Sequence, residues 1–254
     1  MAPFAKPVVD LFIRSYYKDL EWLGFCLRSI RKHAFGFRSV IVVIPRASVG
    51  AFRRHQLDPD KLIVCDNYRD DYLGQQVTKL YADQLTDAEF ITHVDSDVIF
   101  TRPTHPYDLI RDGRPQLLMT PYDVHARNAP WRIPWQGVIE RFMRRHITYN
   151  FMQMMPLTYP RWLYPALRAF AYDLHGCRLA SYVMKQNARC FSEFNALGAF
   201  AYYFHHDSFR WIDMSTDPLP KKHTKIFWSW GGLSAEVRQQ VEDCINSQNG
   251  SVQA

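Results

Sequence analysis

The sequence predicts an α/β fold, a mostly parallel sheet flanked by helices. Three observations carry this. Short β-rich apolar runs recur through the first hundred residues, at 8–13, 40–44, 62–65 and 90–94. Stretches of helical period separate them. Polar residues gather where the runs end: Arg14-Ser15, Asp66-Asn67 and Asp95-Ser96-Asp97. In open parallel sheets, ligands bind outside the carboxyl ends of the strands, so three such clusters point to one shared edge.

Taken in order, 8–13 is the first strand. Residues 19–33 place Leu20, Leu23, Leu27 and Ile30 on one helical face. The run 40–44 is a second strand, stopped by Pro45, and 62–65 is a third. Residues 75–85 read as a helix with Val77, Leu80, Tyr81 and Leu85 on one side. The fourth strand, 90–94, runs into the acidic triplet, and a further apolar run, 98–100, follows at once. Strands joined through helices of this length favour parallel pairing. Beyond 102 the texture changes. Prolines at 103, 106, 115, 121, 130 and 134 break up regular structure. Residues 160–175 read as a helix, 191–206 is strongly aromatic, and a polar helix after Ala235 fades into the tail.

The chain has 254 residues, 47% of them hydrophobic, enough for one large domain with a deep core. Its net charge of +6 suits phosphorylated partners, nucleic acid or an anionic membrane face, and equally an ordinary basic surface. Five scattered cysteines without a CxxC pair suggest reduced thiols. No secretory signal is read at the start, and no run reaches about 18 apolar residues. A cytoplasmic location is expected. No GxxxxGK[ST] loop, GxGxxG turn, GxSxG elbow or HExxH helix occurs. Their absence disfavours P-loop NTPases, dinucleotide oxidoreductases, α/β-hydrolases and zinc proteases.

Asp95 and Asp97 stand one residue apart at a strand's end, where both carboxylates can turn into one space. Hard cations such as Mg2+ or Mn2+ take oxygen ligands and keep positions open for phosphates. The alternative is a strand-terminal Asx turn or cap. Gln76 and Lys79, three apart, share a helix face, which suits contact with a nucleotide or with Asp95, or plain helix surface. Glu193 follows Ser192 and precedes Phe194. It reads as a proton-accepting carboxylate, as a helix N-terminal Glu beside a Ser cap, or as both.

An α/β first half whose fourth strand ends in Asp-x-Asp resembles the GT-A (Rossmann-like) nucleotide-sugar glycosyltransferases. Further segments agree. Residues 14–20 resemble the opening strand and loop of these enzymes. Residues 72–80 are similar to their Gln-Gln-x-x-Lys-Leu helix and 93–100 to their metal-binding strand. Residues 192–198 resemble the Ser-Glu-aromatic segment facing the transferred sugar, and Phe227-Trp228-Ser229-Trp230 resembles a late aromatic motif. The likeness spans roughly 8–230.

It implies one domain, 1–254: a nucleotide-sugar half at about 8–105, an acceptor-side elaboration at about 106–235, and a C-terminal helix and tail over 236–254. It implies a metal-dependent transfer from a nucleoside-diphosphate sugar, UDP-linked, to a hydroxyl. Mn2+ or Mg2+ would sit on Asp97 with Asp95 and, from a late segment, His223; His205 and His206 are rival ligands. Arg14, Ser15, Asp19, Asn67, Gln76, Lys79, Asp95 and Ser96 would meet the nucleotide. Lys222 and Lys225 would offset diphosphate charge. Asp97 and Glu193 would carry the chemistry. His93, inside a strand, packs in the core.

For the acceptor, the sequence offers two candidates: DNA bearing a hydroxylated base, or a bacterial surface glycan. The Arg and Trp cluster over 131–145 suits phosphate contact with base stacking, a membrane interface or a folded basic lobe. Outside this class, the residues also admit a metal-dependent nucleotidyltransferase, or a non-catalytic nucleic-acid-binding module.

Overall fold

The computed structural model describes residues 6–128 and 135–246. The first four strands, β1 (Val9–Arg14), β2 (Ser39–Pro45), β3 (Lys61–Cys65) and β4 (Phe90–His93), form one parallel sheet. A fifth, β9 (Leu157–Pro160), adds antiparallel to β4, so the order is β3-β2-β1-β4-β9. The sheet is therefore mixed and mostly parallel, and helices flank it. Helix α1 (Leu20–His33) joins β1 to β2, the short α2 (Val49–Arg54) leads into β3, and α3 (Asp71–Leu80) returns the chain to β4. Every residue of β1 is buried, as expected for a central strand covered on both faces.

Helix α1 lays Leu20, Leu23, Leu27 and Ile30 into the main core. Each such burial contributes about 1.5–3 kcal/mol. Its Trp22 and Phe25 face the other way. They pack with Ile99 of β5 (Val98–Phe100) and with Val241 and Ile245 of the C-terminal helix α10 (Ala235–Asn246). The polar helix expected after Ala235 is thus present, and it docks through one apolar stripe.

Past β5 the chain builds a second layer. Helix α4 (Pro106–Leu109) leads to β6 (Ile110–Arg111) and the longer β7 (Arg114–Pro121). After α5 (Tyr122–Asn128) and α6 (Gln136–Met143), β8 (Tyr149–Asn150) pairs with the end of β7. Helices α7 (Leu163–His175), α8 (Leu179–Val183) and α9 (Glu193–Phe204) follow. Then β10 (Arg210–Asp213) pairs parallel with β7, and β11 (Thr224–Ile226) pairs antiparallel with β5. One buried cluster runs from Leu11 to Phe209 across both halves.

Three expectations shift. The helix expected over 75–85 starts at Asp71, because the Asp70 side chain accepts the Leu73 amide at 3.1 Å. It ends at Leu80, ahead of a 3-10 turn. The helix expected from 160 begins at Leu163, since 157–160 is strand. The proline-rich stretch after 102 holds an eight-residue strand, with Pro115 paired to Ile110 and Pro121 at its end.

Candidate functional site

The chain runs outward from β1 to β3, then crosses back to β4 on the far side of β1. That reversal makes the carboxyl ends of β1 and β4 the switch point of the sheet, the place where open α/β sheets bind ligands. The acidic triplet leaves β4 there. Val94 still pairs with β1, its amide donating to the Phe12 carbonyl at 3.1 Å, and a tight turn follows, closed by the Val98 amide on the Asp95 carbonyl at 3.2 Å. The carboxylates serve distant segments. Asp95 Oδ1 accepts Lys79 Nζ at 2.6 Å, and Asp97 Oδ2 accepts the Ser229 amide at 2.7 Å.

Lys79 is the hub. Its side chain is 3% exposed, and its ammonium bridges Asp95 and Glu193 Oε1, the latter at 2.9 Å. The Phe194 ring lies 4.9 Å away. Burial alone would lower its pKa, but the two carboxylates outweigh burial and the net shift is upward. The ammonium therefore stays charged throughout the neutral range. Three turns of α3 explain the convergence: Tyr72, Gln76 and Lys79 fall at spacings of four and three, on one face.

Gln76 does not reach toward the triplet. It donates to the Phe191 carbonyl at 2.9 Å and so holds the strand of chain that leads into α9. Tyr72, which the sequence reading passed over, borders the site. Burial raises its hydroxyl pKa, and the Glu193 charge adds to the effect. The helix expected over 75–85 left it out, because the start at Asp71 depends on the Asp70 cap.

Glu193 is the first residue of α9, behind a Ser192 cap that accepts the Asn195 amide at 3.2 Å. The capping and the functional readings hold together, since a carboxylate in a helix's first turn is also electrostatically favoured.

Asp19 joins the acidic pair from the start of α1. Its carboxyl is pushed up to about 6, first by burial and then by the Asp97 charge, while the Ser229 and Ser96 hydroxyls oppose the shift. Asp97 is also raised, by burial and then by Asp95. Because the folded pKa of Asp19 lies above its unfolded 3.8, its stabilising share is complete below about 4 and is lost as pH rises through about 6. Asp19→Asn is therefore expected to stabilise the protein at pH 8 by about 1–2 kcal/mol, reduced from the full shift by partial exposure. The gain should vanish near pH 4. Denaturant melts at the two pH values check this, and a gain that persists at low pH contradicts it.

Other expected contacts fall elsewhere. Arg14 is buried, with Nη1 on the Ser15 carbonyl at 2.6 Å and Nη2 on Asp71. Its Nε and the Ser15 hydroxyl are buried at the end of β1 without a hydrogen bond. Asn67 accepts the Ala47 amide at 2.9 Å and ties the loops after β2 and β3 together.

The structure does not bring His223 to the acidic pair. Its Nδ1 lies 2.9 Å from Thr104 Oγ1, and its ring borders a small cavity with Asp108, Met155 and Lys222. Lys222 goes with it. Lys225 lies over the Phe227 ring at 4.7 Å. The physical reason is register: β11 pairs Thr224 with Phe100 and Ile226 with Val98, so the chain meets Asp97 only after Ile226. His205 packs against Trp162 and Phe200, and His206 against Trp211 and Asp207, so neither rival approaches Asp97. His93 is a core residue, held to the Tyr164 hydroxyl at 2.6 Å and kept neutral chiefly by burial.

Among the described residues, no three His, Cys, Asp or Glu side chains form a ready-made metal centre. The donor chemistry still fits Mg2+ or Mn2+. Asp95, Asp97 and Asp19 supply oxygen donors whose mutual repulsion a cation relieves, and Mg2+ is commonly held by one or two carboxylates with substrate phosphates completing the shell.

Of the basic lobe, Trp131 and Arg132 lie outside the described residues. Arg145 stacks on the Tyr203 ring at 3.8 Å, and Trp135 donates to the Arg189 carbonyl at 3.1 Å, so part of this cluster serves packing. No helix among the described residues is long and apolar enough to cross a membrane. In comparisons with known proteins, residues 8–193 match a family described as "Family of unknown function (DUF6492)". No curated protein matches the chain.

Proposed function

We propose that this chain, which belongs to the DUF6492 family, is a GT-A-like glycosyltransferase that moves a sugar from a nucleoside-diphosphate donor to an acceptor hydroxyl. One observation carries the reading: Asp95 and Glu193, 98 positions apart in sequence, meet on the single buried ammonium of Lys79 at the switch of the sheet. A purely structural ion pair needs one carboxylate. Two carboxylates on one cation, with Asp97 and Asp19 beside them, leave surplus negative charge there.

In this reading Asp97 and Asp95 would hold Mg2+ or Mn2+, which would supply positive charge against a departing diphosphate. Lys79 fixes Asp95 and Glu193 relative to each other. Asp19 and Ser96 complete the acidic rim, and the orphaned Arg14 Nε and Ser15 hydroxyl offer donors toward the nucleotide. The acceptor oxygen bonds to the anomeric carbon as the bond from that carbon to the phosphate oxygen breaks. The electron pair leaves with the diphosphate, and Glu193 takes the hydroxyl proton. Fixed charges aimed at the leaving group supply most of the stabilisation in such transfers.

Calorimetric titration with UDP and a panel of UDP- and GDP-sugars, with and without Mn2+, tests the proposal. Metal-dependent binding is expected, weakened at least about 100-fold in Asp97→Ala, equivalent to about 2.7 kcal/mol. Failure of every sugar nucleotide to bind removes the reading. Release of pyrophosphate in place of a nucleoside diphosphate would point to nucleotidyl transfer.

A further inference from the structure

We propose that Trp228 and Trp230 form an acceptor platform and that the acceptor they take is a neutral carbohydrate. This rests on the glycosyl-transfer reading of the adjoining site. The turn 227–232 leaves β11 directly beside the acidic triplet. Its backbone is clamped there: the Phe227 amide donates to the Asp97 carbonyl at 3.1 Å and the Ser229 amide to Asp97 Oδ2 at 2.7 Å. Phe227 turns toward α1, its ring 6.1 Å from that of Trp22. The two tryptophans flanking Ser229 are exposed, 47% at Trp228 and 81% at Trp230.

Packing does not account for Trp230, since four-fifths of it meets solvent. The backbone is also unusual. Trp228 has φ 56°, a left-handed conformation that bulky side chains disfavour. It is held by the Gly231 amide on the Trp228 carbonyl at 2.9 Å and the Gly232 amide on the Ser229 carbonyl at 3.0 Å, with Gly232 itself at φ 81°. Such outliers persist where surrounding contacts over-determine them, and they cluster at ligand sites. Here the over-determining contact is Asp97 itself.

An indole face stacks on the C–H face of a pyranose or on a nucleobase. Charge decides between them. Asp97 and Asp19 both engage Ser229, the residue between the two rings. A divalent cation on the aspartates would offset two charges, and a donor diphosphate would restore them, so the four carboxylates Asp19, Asp95, Asp97 and Glu193 still outnumber the Lys79 ammonium. A nucleic-acid backbone approaching this rim meets like charge within a Debye length, about 8 Å at physiological salt, whereas a neutral sugar does not.

Saturation-transfer NMR with maltotriose, lactose, cellotriose and chitotriose, run in saturating UDP and Mn2+, tests the platform. At least one saccharide should receive saturation, with affinity about tenfold lower in Trp230→Ala, while UDP binding by calorimetry stays within about twofold of wild type. Three results overturn the proposal: no saccharide binds, Trp230→Ala binds as well as wild type, or a 20-base-pair duplex binds at this surface with a steep fall on added salt. Saccharide binding that depends on Trp230 in a protein that ignores UDP would preserve the platform and remove the transferase reading, so the two fail separately.

Discussion

Lys79→Met is expected to lower stability by about 3–5 kcal/mol, because removing one partner strands buried carboxylates without compensation. In a chain of this size that is a fall in Tm of roughly 10 °C or more. The two stranded groups are not equivalent. The Glu193 side chain is 7% exposed, whereas that of Asp95 is 30% exposed and can recruit water. Most of the penalty therefore sits on Glu193, and adding Glu193→Gln to Lys79→Met should recover more than half of it. Asp95→Asn in the same background should recover less. Calorimetric melts of the single and double variants decide it. An unchanged Tm in Lys79→Met would mean that the ion triad adds nothing to the fold and that its carboxylates are not held by the lysine.

The sheet and the Lys79–Asp95 contact were legible in the sequence for one reason, that both are written in side chains on strongly periodic segments, whereas the Lys79–Glu193 contact was not read from it. The runs at 40–44 and 62–65 become β2 and β3 almost unchanged, and Lys79 projects toward Asp95 because α3 is regular. What escaped was written in backbone or in tertiary pairing. Strand β7 has only Leu117, Leu118 and Met119 as an apolar run, bracketed by prolines that sequence logic reads as breakers. Its partners β10 and β8 are distant and supply the hydrogen bonds that make it a strand. Gln76 sits on the face expected of a nucleotide contact, yet the Phe191 carbonyl takes its amide. The late segment shows the same limit. Lys222, His223 and Lys225 carry the chemistry a sequence reader looks for, but the group that reaches Asp97 is the Ser229 amide, and an amide has no letter. Tyr72 lay outside the helix expected over 75–85 and joined this face only because α3 starts at Asp71.

Gly198→Ala should be a severely damaging single-methyl change, and its consequences reach the site. A Cβ at 198 would stand 2.3 Å from Phe151 Cβ and 2.5 Å from its Cγ. The Phe151 Cβ cannot swing away, since the backbone fixes its position, and Phe151 is held by its amide, which donates to Asn195 Oδ1 at 2.7 Å on the same helix. The close approach is thus built in twice, by a hydrogen bond and by a missing side chain. Relief requires α9 to move off the 149–153 segment. Overpacking of this kind costs about 1–3 kcal/mol and more when backbone must shift. Helix α9 begins at Glu193, five residues before the clash, so the movement would lengthen the Glu193 contact with Lys79 as well. The expected outcome is a lowered Tm together with reduced coupling between Lys79 and Glu193 in a double-mutant cycle. Pairing Gly198→Ala with Phe151→Ala removes the obstructing ring but keeps Cβ, so rescue should be partial. A Gly198→Ala protein that melts like wild type with its coupling intact would show that α9 floats free of the 149–153 segment, and that Glu193 is held by the lysine alone.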